Sequence, residues 1–144
     1  MKSITDDMKI VLLAANIGSA TPTADWAIHI SHEPDKPDKC ITLYDRGGDQ
    51  SGYHYNPADK PVRYDMFQVR VRAIAYSDAY AQISAIVGVL DQKHHFQLAG
   101  LNAGDPVTKY GGVFLIGRPT SLQKDGKGRS IWVADFRAIR QTKP

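Results

Sequence analysis

The sequence holds a single cysteine, Cys40, in 144 residues, which excludes an intramolecular disulfide and a cysteine zinc cluster. A chain kept in a reducing compartment is the expectation. Long apolar runs are lacking too: a membrane-spanning helix needs about 18 uncharged apolar residues, and the longest candidate, Ile10 to Ile17, is short and amphipathic. A cleavable leader is not expected, because Asp6 and Asp7 stand where a positive region and an apolar stretch belong. There is no internal repeat, heptad or low-complexity tract, so a coiled coil, a fibre and a disordered chain are excluded. What remains is 42% hydrophobic and 23% charged residues, with 12 Gly and 8 Pro dispersed along the chain. This composition and length predict one soluble globular domain over 1–144, able to bury a core without disulfides or a structural metal.

Charge is modest in sum, at +3, and uneven in place. Residues 118–144 carry Arg118, Lys124, Lys127, Arg129, Arg137, Arg140 and Lys143 against Asp125 and Asp135, whereas residues 25–59 are predominantly acidic. A dedicated nucleic-acid binder would show tighter basic clusters with interleaved aromatics. One acidic and one basic face instead suit head-to-tail association of subunits, which closes into a ring when the rotation allows.

Local patterns predict the elements. Ser3 or Thr5 followed by Asp6 and Asp7 is a helix start, and Ile4, Met8, Val11, Leu12 and Ala15 keep helical spacing up to Asn16, before Gly18. Trp26, Ile28 and Ile30 alternate with polar neighbours as a half-buried strand does, and Cys40 to Tyr44 reads as a second strand ending at Gly47-Gly48, the two forming a hairpin. Arg46 to Pro61 has no apolar periodicity and carries Gly47, Gly48, Gly52, Pro57 and Pro61 with Tyr53, His54 and Tyr55. A connection this long (46–63) inside a compact domain is usually functional.

Phe67, Val69, Val71, Ala73 and Ala75 alternate with Met66, Gln68, Arg70, Arg72 and Ile74, the cleanest strand in the chain. Ser77-Asp78 predicts the cap of a second helix with Tyr80, Ile83, Val87 and Leu90 on one face, ending near Asp91. The last third reads as strands around His95 to Leu98, Val113 to Ile116 and Ile131 to Arg137, with a basic hairpin tip in 120–130 marked by Asp125-Gly126. The expected fold is α+β: a mainly antiparallel β-sheet with two α-helices packed on one face.

Chemistry is poorly represented. His29, His32 and Glu33 near Asp35, Asp38 and Cys40 offer metal-donor types, but a strand would turn His29 and His32 to opposite faces. Polar strand residues running into a charged loop explain them. His94 and His95 read as a solvated strand start. Cys40, beside Asp35 and Asp38, would have a raised thiol pKa and low reactivity. No Ser lies in a Gly-x-Ser-x-Gly elbow, and Gly126-Lys127-Gly128-Arg129-Ser130 lacks the earlier glycine of a phosphate loop and precedes a strand. No catalytic residue, cofactor or metal is expected, and the chain is not read as an enzyme.

Arg70 and Arg72 on one strand face, with Arg137 and Arg140 near the end of another, would line a phosphate-binding stripe, pair with acidic groups of a neighbouring subunit, or form the solvated face of a one-sided sheet.

The run Pro37-Asp38-Lys39-Cys40-Ile41-Thr42-Leu43-Tyr44-Asp45, then Gly47-Gly48, then Tyr64-Asp65 leading into Phe67-Gln68-Val69-Arg70-Val71-Arg72 and a helix start at Ala79-Tyr80, resembles the tail terminator or minor capsid (tail completion) proteins of long-tailed bacteriophages. The resemblance covers residues 1–92; beyond them only size and strand content agree. It implies a structural virion protein: a homo-oligomeric ring, commonly a hexamer, at the head-proximal end of the tail tube. That ring would stop tube growth and join the tail to the head connector or neck protein. Its partners would be the tail tube protein and the connector, with non-specific contact to DNA in the lumen and none to membrane; its place would be the neck of the virion tail, after assembly in the host cytoplasm. Tyr53, Tyr55, Arg63, Arg70, Arg72, Lys124, Lys127 and Arg129 are the expected interface residues. The alternatives are another head-completion or neck protein, or a basic nucleic-acid-binding module.

Overall fold

The computed structural model describes residues 2–50, 62–100 and 102–142. Eight elements follow in order: α1 (Ile4–Ala14), β1 (Ala27–Ile30), β2 (Cys40–Gln50), β3 (Arg63–Ala73), α2 (Tyr76–Leu90), β4 (Lys93–Leu98), β5 (Thr108–Leu122) and β6 (Ser130–Thr142). The strands form one six-stranded sheet in the order β1-β2-β3-β6-β5-β4, antiparallel except for β1 on β2. The expected α+β class and element order hold.

The alternation in β3 sets the two faces of the sheet. Phe67, Val69 and Val71 point to one side, where their cross-strand partners Leu43, Ile41, Phe136, Ala134 and Trp132 join them. Both helices close this side: Met8 and Leu12 of α1 and Ala79, Ile83, Ile86 and Leu90 of α2 belong to the same core. Phe67 and Phe136 stack at its centre, with ring centroids 5.2 Å apart and planes 12° from parallel. Tyr64, Met66, Gln68, Arg70 and Arg72 occupy the opposite, polar face, beside Arg137, Asp135 and Val133.

Local chemistry explains the helix limits. Ser3 Oγ accepts the Asp6 amide at 3.1 Å, and Asp6 and Asp7 sit in the positive first turn of α1. The helix ends at Ala14, with Asn16 in the left-handed region, two residues before the expected stop. The second helix begins one residue before the expected Ser77-Asp78 cap; Ala75 occupies the N-cap position and supplies no side-chain bond. Its buried stripe is Ala79, Ile83, Ile86 and Leu90, so Tyr80, expected on one face with Ile83, Val87 and Leu90, faces outward.

Two expectations about β1 and β2 fail. The strands are parallel, with Ile28 opposite Ile41, so residues 31–39 form a return crossover in place of a hairpin turn. Gly47-Gly48 does not end β2 either. The strand passes through a bulge between Asp45 and Gly48 and pairs onward with β3 to Gln50 opposite Arg63. Gly48 has φ +149°, and a Cβ there would lie 2.0 Å from the Tyr64 carbonyl oxygen, so close strand approach requires glycine at that point. Strands β2 and β3 therefore take in 46–50 and Arg63 of the expected loop, whose residues 51–61 lie outside the described residues.

Candidate subunit interface and the arginine clamp

Arg72 lies near the end of β3 on the polar face, opposite Cys40, and is only 3% exposed. A buried guanidinium needs acceptors for its five fixed N–H groups. The crossover supplies them: Nη1 donates to Glu33 Oε1 at 2.9 Å, Nη2 to the carbonyls of Pro34 at 2.6 Å and Pro37 at 2.8 Å, and Nε to that of Asp38 at 3.3 Å. One side chain thus holds the segment that turns β1 back toward β2. Glu33 is shared, its Oε2 lying 2.7 Å from Arg70 Nε.

Arg129 closes the same segment from the other side. Its Nη1 donates to the Asp35 carbonyl at 2.6 Å and to Asp38 Oδ1 at 3.1 Å, and its Nε to Asp125 Oδ2 at 2.7 Å. Lys127 Nζ adds contacts of 2.6 and 2.5 Å to the Asp35 carboxylate. Asp125 organises the β5–β6 tip: Oδ1 accepts the amides of Lys127 at 3.0 Å and Arg129 at 2.9 Å. Those amides and the Arg129 side chain hold its carboxyl down to about 2. The Lys127 hydrogen bond lowers the pKa of Asp35 in the same sense. The left-handed residue at this tip is Gly128, at φ +73°, rather than Gly126.

These contacts revise the meaning of the charge pattern. The acidic early segment and the basic late segment meet within one chain, Glu33, Asp35 and Asp38 against Arg70, Arg72, Lys127 and Arg129. Four of the eight expected interface residues therefore converge on a single internal clamp. Arg63 stands apart near the start of β3, half-exposed, 3.5 Å from Asp65. Lys124 is exposed beside the hairpin tip. Tyr53 and Tyr55 lie outside the described residues. The sequence held a usable signal for the clamp, acidic residues around Pro34 and Pro37, but nothing in the spacing placed Arg72 or Arg129 over them.

A second polar network, not anticipated, lies at the other end of the sheet. Tyr110 Oη donates to Asp7 Oδ2 at 2.5 Å, and Arg140 bridges Asp65 through Nε, the Lys2 carbonyl through Nη1 at 2.8 Å, and Asp7 at 3.7 Å. Burial raises the pKa of Asp7 above the usual carboxylate value, partly offset by the Tyr110 bond and by Lys2 and Arg140, and burial next to Asp7 raises that of Tyr110. This network fastens α1 to β3, β5 and β6. Clefts of about 340 and 380 Å³ flank Arg140, the first against Phe96, Lys109 and Ile139, the second against Ser3, Asp45 and Gly47.

Among the described residues no three His, Cys, Asp or Glu side chains are placed to hold a metal, and no helix is long and apolar enough to cross a membrane. His29 sits opposite Thr42 on the polar face with its pKa lowered by burial, and His94 and His95 are exposed on edge strand β4. Cys40 is buried, which pushes its thiol pKa up.

Comparison with known proteins agrees with the fold and the resemblance. A chain in the virion of the native gene transfer agent particle superposes with a TM-score of 0.55 at 15% identity, covering 96% of this chain and 95% of that one, a likeness of fold. No curated protein matches the sequence. The family model described as bacteriophage tail terminator protein matches residues 12–142, nearly the whole length, and the chain belongs to that family.

Proposed function

We propose that copies of this chain close into a ring, six-membered as the family resemblance implies, at the head-proximal end of the tail tube. There the ring stops tube growth and presents a surface to the head connector or neck protein. The observation that carries this reading is the family match across residues 12–142, which makes the chain a structural tail protein of a phage virion. The structure fits the role: a sheet braced on one face by two helices and on the other by a clamped crossover gives a stiff subunit. The clamp also argues against a free nucleic-acid-binding module, because Arg70, Arg72, Lys127 and Arg129 already face carboxylates and carbonyls of their own chain. Lys124 and Arg118, exposed beside the hairpin, are among the described cations available for phosphate contact in a lumen. The test is the mass of the purified protein across concentration and salt, with negative-stain images of the largest species. A closed ring of about six subunits supports the reading; an open filament or a fixed dimer overturns it.

A further inference from the structure

The clamped crossover lies over a row of polar side chains that it does not satisfy. His29 of β1, Thr42 of β2 and Arg70 of β3 stand opposite one another on the sheet face away from the helices, with Cys40 and Tyr44 flanking Thr42 on that face. His29 Nε2 and Thr42 Oγ1 are buried and make no hydrogen bond among the described residues. Glu33 of the crossover has both oxygens engaged, Oε1 by Arg72 Nη1 at 2.9 Å and Oε2 by Arg70 Nε at 2.7 Å. Burial first, then Lys9 of α1, His32 of the crossover and Arg72 of β3, all disfavour a charged His29 imidazole. A neutral imidazole needs a donor on one nitrogen alone, whereas an imidazolium carries N–H on both. Protonated, His29 would bring a buried donor and a positive charge beside arginines that already hold the Glu33 carboxylate.

The element that carries His29 is small. β1 is a four-residue edge strand, with β2 on one side and a single bridge, Ser19 to Ala27, on the other. Trp26 and Ser31, which bound it, are held in the left-handed region at φ +61° and +58°. Such backbone is costly for a residue other than glycine and persists where surrounding contacts impose it. Arg72, Arg129 and Lys127 supply those contacts to residues 33–38. We propose that residues 26–39 form a latch that opens in mild acid: protonation of His29 frees β1 and the crossover from β2, uncovering Cys40 and the β2 edge as far as Leu43. Cys40 reports the opening, because it is fully buried in the row Ala27, Cys40, Arg72 beneath the clamp. The sign follows from linkage. With the folded value of His29 below the ordinary 6.5, the closed latch is fully stable above 6.5 and weakens as pH falls through 6.5 toward the folded value. Asp35 and Asp125, both held below 3.8, keep their charge in this window. The inference stands independently of the ring reading.

Two readouts on the full-length protein at about pH 7.5 and pH 5.5 test it. One is peptide-resolved hydrogen exchange; the other is labelling of Cys40 by a dithiodipyridine. Each rate is divided by that of the denatured chain at the same pH, so that only opening is compared. Opening of residues 26–43 should rise by about three-fold or more at the lower pH, with about ten-fold as the ceiling that linkage sets one unit below 6.5. Protection in the core of β3 and β6 should not change. His29→Gln, neutral at both pH values, keeps every other titrating group and should abolish the response, holding opening within about 1.5-fold over the interval. His29→Asn replaces it if H29Q melts early. A parent in which Cys40 and residues 26–43 are equally protected at both pH values overturns the inference, as does a response that survives in the neutral variant. Protection lost equally from β3 and β6 is global acid unfolding and overturns it too.

Discussion

Arg72→Met removes the guanidinium from the crossover and keeps a side chain of similar reach. Lost with it are the ion pair to Glu33 at 2.9 Å and the bonds to the carbonyls of Pro34, Pro37 and Asp38. Removing one partner of a buried ion pair costs about 3–5 kcal/mol, since the remaining charge and its acceptors are left in a poor medium. Relaxation of 31–39 into water recovers part of this, while the strand contact between Ile28 and Ile41 that the crossover permits is weakened in addition. A net loss near 3 kcal/mol is expected, equivalent to a fall in melting temperature of roughly 6–12 °C for a chain of this size. Urea unfolding followed by far-UV dichroism measures it. The double-mutant cycle with Glu33→Gln isolates the pair: a coupling of about 1–3 kcal/mol is expected for groups in one hydrogen-bonded network. Arg72→Lys should recover only part of the loss, because a single ammonium cannot reach acceptors arranged around a planar fork. If R72M unfolds within about 0.5 kcal/mol of the parent, a value typical of surface substitutions, the clamp is not what holds the crossover.

Other consequences follow from the same geometry. Asp125, held near 2 in the folded chain against 3.8 when free, contributes stability that is complete above 3.8 and is lost as pH falls toward 2, so Asp125→Asn should flatten the acid limb of the stability curve over that window. Asp7 acts in the opposite sense: its folded pKa is raised, so it favours folding as pH drops through that raised value toward 3.8, and Asp7→Asn should remove this gain. Tyr110→Phe takes the hydroxyl from Asp7 and leaves a buried carboxylate short of a donor, with an expected cost of about 1–3 kcal/mol in denaturant titration. Phe136→Ala empties half of the central ring stack and should cost about 3–5 kcal/mol. Cys40 should stay unreactive toward an aromatic disulfide reagent at pH 8 in the folded protein and titrate as one thiol in denaturant.

Where a signal was local, the sequence carried it. The alternation from Phe67 to Ala73, the Ser3 cap and the Asp125 turn each arise from residues a few positions apart, and each appears in the structure close to where it was read. The crossover that brings β1 parallel to β2 is bonded by Arg72, which lies 34 to 39 residues from the groups it binds. Spacing within a segment carries no trace of such a contact, and two alternating runs joined by a short polar stretch favour a hairpin. Arg129 reaches across 94 residues to the Asp35 carbonyl for the same reason. The acidic and basic halves were visible as composition, but whether they meet within a subunit or between subunits is decided by topology. Trp132 falls in the expected strand around Ile131 to Arg137, while the tyrosines that lie over its ring, and the lack of an acceptor for its N–H among the described residues, required the helix to be placed.

The central claim, that this chain ends the tail tube, is tested most directly by measuring tail lengths in electron micrographs of particles assembled with and without it. The account predicts overlong, headless tubes of unregulated length when the chain is absent, restored to one length when it is supplied. Tails of uniform normal length joined to heads in its absence would contradict it.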